Sequence, residues 1–293
     1  MTYGWSILII AIVLAALFQL GVFSSTNFAP KAQPGSCQVF RPNGPGTTSF
    51  INTEGVCNGE LPQYVAQLSS GNITYSLLPT DFLPSYTINF WIYPTSAPDS
   101  LIESYTSISG KAPGCDFYNI VILSNRALQI SSWNLNYAGN WYTSDPAITV
   151  PLNTWSMITV SLVGGGVGTG NIIAYLNGNA APQVAAEEVV SEPLAADHGS
   201  ILSVSGGNCP GTVGGGGIQG NMANFQSYNT SLSSAEITAL YNEGIGDAPI
   251  DLQNLAAWWP LNGNAQDYSG NNNDGTATNV IYTSSWTSGY SAP

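Results

Sequence analysis

The chain has 293 residues and a formal net charge of −13, with 17 acidic residues against Lys31, Arg41, Lys111 and Arg126. Only 7% of residues are charged, against about 25% in an ordinary soluble domain, so hydroxyls and amides carry solubility instead of ions. Four scattered basic residues exclude a surface built on phosphate neutralisation, and with it nucleic-acid binding.

The chain opens on MTYGWSILIIAIVLAALFQLGVF, which carries no charge; the first charged residue is Lys31. Ile7, Leu8, Ile9, Ile10, Ile12, Val13, Leu14, Leu17, Phe18 and Leu20 predict one apolar helix over residues 1–26, and Pro30 and Pro34 stop its continuation. At 1.5 Å per residue, some twenty apolar residues reach about 30 Å, the thickness of a bilayer core. A helix apolar all round is stable only in lipid or inside a bundle. A cleavable secretory signal would need a basic n-region, a shorter run and an A-x-A-like site, none of which is present. A simple membrane anchor is the alternative, but it usually carries basic flanks on one side.

This opening run resembles the N-terminal segment of archaeal type IV pilin-like proteins. The resemblance implies a chain written after removal of a charged leader. It also implies a helix that waits in the membrane and then packs with identical copies in a filament core. Many bacterial pilins carry a glutamate near the mature start, whereas no acid precedes Glu54 here. Subunit register would then come from shape and apolar packing. Burying a dozen large side chains at ~25 cal/mol per Å² would supply on the order of 20 kcal/mol gross per subunit.

Residues 27–60 are rich in Pro, Gly, Ser and Thr and read as a linker and domain edge. Cys37 and Cys57 fall in it, and Cys115 and Cys209 lie further on. The even count beside a membrane-directed start predicts two disulfides and an oxidising exterior, with Cys37–Cys57 and Cys115–Cys209 preferred among three connectivities. No C-x-x-C pair occurs and His198 is the only histidine, so a zinc site is not expected.

Residues 61–293 read as one β domain. YTINFWIYP (86–94) alternates Ile88, Phe90 and Ile92 against Asn89, Trp91 and Tyr93. TWSMITVSLV (154–163) puts Ile158, Val160 and Leu162 on one face, and NIIAYLNGN (171–179) follows a Gly-rich turn. Short alternating runs between turn signals predict an all-β sandwich. One helix is expected over 232–244, with Ser233 and Glu236 in capping-box spacing and Leu232 and Ile237 at staple positions. Ile237, Leu240 and Tyr241 form its apolar face, and Gly244 can close it.

The segments TINFWIYP, VPLNTWSMITVSL, IIAYLNG and GNMANFQSYNTSLSSAEITALYNEG resemble the laminin-G-like, or concanavalin-A-like, sandwich family. AAWWPLNGNAQDYSGNNNDGTATNV (256–280) resembles a segment that usually opens such a domain, yet here it follows the last helix. The resemblance implies a circularly permuted order, favoured over a second partial copy. The expected fold is therefore mainly β: a long hydrophobic N-terminal helix followed by the sandwich.

No catalytic constellation is legible. Glycosidases need two carboxylates flanking one bond, and no E-x-D-x-E run occurs. Glu187 and Glu188 are adjacent and would point to opposite faces of a strand, and a solvated loop is the preferred reading. Nor does any Ser or Cys stand in motif context with His198. The runs GGGVGTG (164–170) and GGGG (214–217) lack the lysine and hydroxyl of a phosphate loop.

Calcium is the one cofactor the sequence admits. Laminin-G-like domains often hold it, and Asp267–Asp274 is rich in oxygen donors. A tight turn built on Asx hydrogen bonds is the preferred reading of that loop. Trp133, Trp141 and Tyr142 are candidates for stacking on sugar rings, although most of the eight Trp are expected in the core. Asn72 and Asn229 stand in N-x-S/T sequons as candidate glycan acceptors.

These readings describe a non-enzymatic, extracellular cell-surface filament subunit. Its partners would be identical subunits in a helical homopolymer, the membrane before assembly, and glycans or other cells. The alternative is a membrane-anchored, lectin-like adhesin ectodomain that does not polymerise.

Overall fold

β-Branched and aromatic residues at every second position make strands, and here they make two packed sheets. The computed structural model describes residues 37–39, 51–53, 61–69, 71–76, 85–97, 99–106, 114–133, 139–143, 149–163, 171–180, 201–205, 217–246, 248–291 and 293. The expected helix over 1–26, with Ile7, Leu8, Ile9, Ile10, Ile12, Val13, Leu14, Leu17, Phe18 and Leu20, lies outside them. Among the described residues, no helix is long and apolar enough to cross a membrane. Residues 27–60, expected as a linker, contain a hairpin of β1 (Cys37–Val39) and β2 (Ile51–Thr53), with Cys37 opposite Thr53.

The first large sheet contains β3 (Val65–Gln67), β5 (Tyr86–Pro94), β10 (Ser156–Val163), β11 (Asn171–Leu176), β12 (Asn179–Ala180), β14 (Gly220–Tyr228) and β17 (Ile281–Thr283). Their order is β12-β11-β10-β5-β14-β3-β17, and β15 (Leu255–Trp259) also pairs with β14. The second sheet runs β16 (Thr276–Thr278), β4 (Asn72–Ser76), β13 (Ile201–Val204), β6 (Asp99–Thr106), β7 (Gly114–Ile122), β8 (Leu128–Trp133) and β9 (Gly139–Thr143). All pairings are antiparallel.

Between the sheets lies a core of Ile88, Phe90, Ile92, Ile158 and Val160 from the first and Ile73, Ile120, Ile130 and Val204 from the second. The alternation read from the sequence therefore holds for Ile88, Phe90, Ile92, Ile158 and Val160. It misleads on the opposite face of β5, where Asn89 and Trp91 are equally buried. The reason is a third layer. Helix α1 (Ser234–Glu243) and the chain after it cover the outer face of the first sheet with a second apolar cluster that includes Trp91, Trp155, Met157, Ile237, Leu240, Trp258 and Trp286.

Helix α1 starts where its sequence says. Ser233 Oγ accepts from the Glu236 amide, and the Glu236 carboxylate accepts from the Ser233 amide. Leu232 and Ile237 bury together in the outer cluster as a staple. Gly244 ends the helix at φ +98°, and its N–H donates to the Tyr241 carbonyl.

The tail does not begin a second domain. β15 continues the edge of β14 that β3 starts: β3 pairs with Asn221 and Met222, and β15 with Phe225 to Tyr228. β16 then extends the second sheet beyond β4, and β17 extends the first beyond β3. The segment after α1 thus adds strands to both sheets.

Candidate functional site

Carboxylates with described contacts serve the scaffold. Glu236 caps α1, and Asp251 Oδ2 accepts from the Asn254 side-chain amide at 2.8 Å. Asp267 organises the loop weighed as a calcium site. Its Oδ1 accepts from the backbone amides of Trp258 (2.9 Å) and Ser269 (2.8 Å). Its Oδ2 accepts from Ser269 Oγ (2.7 Å) and the Asn273 amide (2.9 Å), while Asp274 Oδ1 takes the Asp267 amide. The bond from the residue two positions on makes this an Asx turn, the preferred reading of the loop. Among the described residues, no three His, Cys, Asp or Glu side chains converge as a metal site. Glu187, Glu188, His198 and the Gly-rich run 164–170 lie outside the described residues.

The described tryptophans are structural as well. Trp91, Trp155, Trp258, Trp259 and Trp286 are all buried. Trp155 Nε1 donates to the Trp286 carbonyl, Trp286 Nε1 to the Pro62 carbonyl and Trp259 Nε1 to the Asn273 carbonyl. Trp91 stacks on Tyr241 with ring centroids 5.8 Å apart. The candidates Trp133, Trp141 and Tyr142 fall on the backbone of β8 and β9, and their side chains lie outside what is described.

The register of the second sheet brings together residues that are far apart in sequence. One row crosses all seven strands as Ala277, Ile73, Val204, Ile102, Ile120, Ile130 and Tyr142. Its members Ile73, Val204, Ile120 and Ile130 are core residues. The adjacent row reads Thr276, Thr74, Ser203, Glu103, Asn119, Ser131 and Trp141. The register sets these residues side by side on the backbone of the seven strands, and the side chains of Glu103, Asn119, Ser131 and Trp141 lie outside what is described. Ser203 is buried, Thr74 is half-buried and Thr276 is exposed. Within this row, sequence reading had singled out only Trp141. The others carry no local signal, because the row exists only once six strand registers are fixed.

Among the sequons, Asn72 opens β4 opposite Thr278. Asn229 follows β14, with its amide donating to the Asn254 carbonyl at 2.7 Å. Both are half-buried. Asn229 Oδ1 is buried without a partner. Cys115 falls on β7 and Cys37 on β1, whereas Cys57 and Cys209 lie outside the described residues.

A family model described as the concanavalin A-like lectin/glucanases superfamily matches residues 66–238. The chain belongs to that superfamily. The superfamily fold also appears in a candidate carbohydrate binding protein of Bacteroides ovatus, at a TM-score of 0.53 and 14% identity over 76% of this chain. The present chain spans 60% of that protein's length. The heptameric SAP-like pentraxin of Limulus polyphemus aligns at 0.46 and 13% identity, over 78% of this chain and 92% of its own. The CBM40 of the Ruminococcus gnavus IT-sialidase, solved with α2,3-sialyllactose, aligns at 0.42 and 17% identity, over 59% and 94%. No curated protein matches the chain by sequence.

Proposed function

We propose that the sandwich is a non-enzymatic, lectin-like domain on the cell exterior, held at the surface by the apolar segment 1–26, and that it binds glycans on the outer face of its second sheet. The observation that carries this reading is the backbone register that aligns Thr74, Glu103, Asn119, Ser131 and Trp141 on a superfamily sandwich, with the buried Ser203 between Thr74 and Glu103. Hydroxyl, amide and carboxylate groups bond sugar hydroxyls in pairs, and an indole offers a flat apolar platform for a pyranose face. A glucanase needs a second carboxylate near the first, and the row has only Glu103. The likeness to a candidate carbohydrate binding protein is consistent with this reading.

Glycan-array binding by the full chain in detergent is the test. Saturable binding to one glycan class is expected, with at least a tenfold loss in Trp141→Ala and in Glu103→Gln. Binding to no glycan, or binding indifferent to both substitutions, overturns the reading.

A second reading is favoured by the run MTYGWSILIIA, which resembles an archaeal type IV pilin helix. In it the same sandwich coats a filament whose core is a bundle of the N-terminal helices. Electron microscopy of native material separates the two: filaments support assembly, and monodisperse particles in detergent reject it.

A further inference from the structure

The chain reaches the two large sheets at Leu61, and the first strand it adds to them, β3, has only three residues. β3 pairs with β14 through Ala66 and Gln67, and with β17 through Val65, Ala66 and Gln67. A pull arriving from segment 1–60 meets the sheets at this short strand. Two bonds hold the chain just ahead of it. The buried Trp286 donates its indole N–H to the Pro62 carbonyl at 3.0 Å, and Asn262 Oδ1 accepts from the Tyr64 amide at 2.7 Å.

Trp286 belongs to residues 284–291, which follow β17 and run over the outer face of the first sheet as far as the start of β10. The Trp286 carbonyl accepts from Trp155 Nε1 at 2.9 Å, and the Gly289 carbonyl accepts from the Trp155 amide at 3.0 Å. Trp155 directly precedes β10, which lies inside the sheet between β11 and β5. The Trp286 ring meets those of Trp155 and Tyr290 edge-on, with centroids 5.7 and 5.8 Å apart. Tyr290 OH in turn accepts from the Ile245 amide, just past α1. Gly289 takes φ +74°, and a β-carbon there would lie 2.6 Å from the Asn153 carbonyl oxygen and 2.7 Å from the Tyr93 ring. The segment therefore sits tight against the turn before β10.

We infer that residues 284–291 are a mechanical latch, which passes tension entering at Pro62 through Trp286 and Trp155 to β10. A three-residue ladder can open locally while the rest of a sandwich stays folded. The latch ties that opening to the buried contact between Trp286 and Trp155, so the entry strand and an interior strand must yield together. The role rests on the reading that segment 1–26 holds the domain at a surface, in membrane or filament, because only a tethered domain carries such tension.

Force spectroscopy on the full chain in detergent tests it. One handle is attached at position 126, in the turn between β7 and β8. The second is attached at the N-terminus or, as a control geometry, at the exposed Ala180 on β12. Forced unfolding reads the unfolding rate directly. Trp286→Phe keeps the buried ring and removes the N–H that holds Pro62. At fixed load it should speed the first unfolding step about tenfold more under N-terminal tension than in the control geometry. Gly289→Ala, which lifts the segment off the Asn153 turn, should show the same selectivity and decides the matter if Trp286→Phe does not fold. Equal acceleration in both geometries marks the segment as ordinary packing and overturns the inference, as does no acceleration in either. Flotation with vesicles and electron microscopy of native material judge the anchor separately: a chain that joins neither membrane nor filament rejects the tethering reading, whatever the force curves show.

Discussion

The indole N–H of Trp258 donates to Oδ1 of Asn224 across 2.8 Å, joining the tail strand β15 to a bulge in β14. Asn224 sits at φ +50° in that bulge, which puts Ala223 and Asn224 in succession outside the inner core. The same Oδ1 accepts from Gln226 Nε2 at 3.1 Å, and Gln226 Oε1 accepts from Tyr228 OH at 2.6 Å. Asn224, Gln226 and Tyr228 are all buried. Removing one member leaves a buried group short of a partner, which costs about 1–3 kcal/mol. Trp258→Phe and Asn224→Gly should each destabilise by that amount in urea unfolding. The double variant should lose less than the sum, because both remove the same bond.

Asp267 predicts a loop held without metal. Four donors already occupy its two oxygens. Asp267→Ala strands three backbone amides and should cost about 2–3 kcal/mol. Neither EDTA nor millimolar Ca²⁺ should move the melting temperature of the wild-type chain. A rise of several degrees with Ca²⁺ would show that the ion competes successfully for these oxygens.

Local chemistry was legible in the sequence, and the layer it packs into was not. Ser233 and Glu236 announce the start of α1 because a capping box is complete within four residues. Ile88, Phe90 and Ile92 announce the inner face of β5 by alternation alone. Asn89, set against the apolar positions in that alternation, is buried, and so is Thr87, because hydrogen bonds that no local pattern encodes satisfy them. Thr159 Oγ1 donates to Asn89 Oδ1 at 2.6 Å, and Thr87 Oγ1 accepts from the Leu232 amide at 2.9 Å. The polar row from Thr276 to Trp141 was illegible for a related reason. Its members come from seven strands, and a one-residue slip in any of them would break it.

The capping box also predicts a pH dependence. Hydrogen bonds from the Ser233 side chain and amide hold the Glu236 carboxyl below its ordinary 4.5. A carboxylate depressed in the folded state adds stability above its unfolded value and loses it as pH falls through the folded value. Wild-type stability should therefore drop between about pH 5 and pH 3 by more than that of Glu236→Gln. Ser233→Ala should cost about 1 kcal/mol at pH 7. A pH series of denaturant midpoints reads both effects, and parallel curves for wild type and Glu236→Gln would reject the assignment.

The hairpin between β11 and β12 fixes where α1 docks. Asn177 and Gly178 both take positive φ, +53° and +74°, as a two-residue turn that matches strand twist requires. Asn177 Oδ1 accepts from the Met157 amide at 2.8 Å, tying the turn to β10. The Gly178 carbonyl accepts from Thr238 Oγ1 on the helix at 3.2 Å. A β-carbon at Gly178 would lie 3.0 Å from Cβ of Tyr241, the residue whose ring stacks on Trp91. Gly178→Ala meets both penalties, a left-handed backbone and a tight contact, and should lose about 1–2 kcal/mol. The lost stability should appear first as faster amide exchange in α1 rather than in β5, because the helix is the layer that must shift. Equal exchange acceleration in both would mean that the turn holds the whole sheet instead.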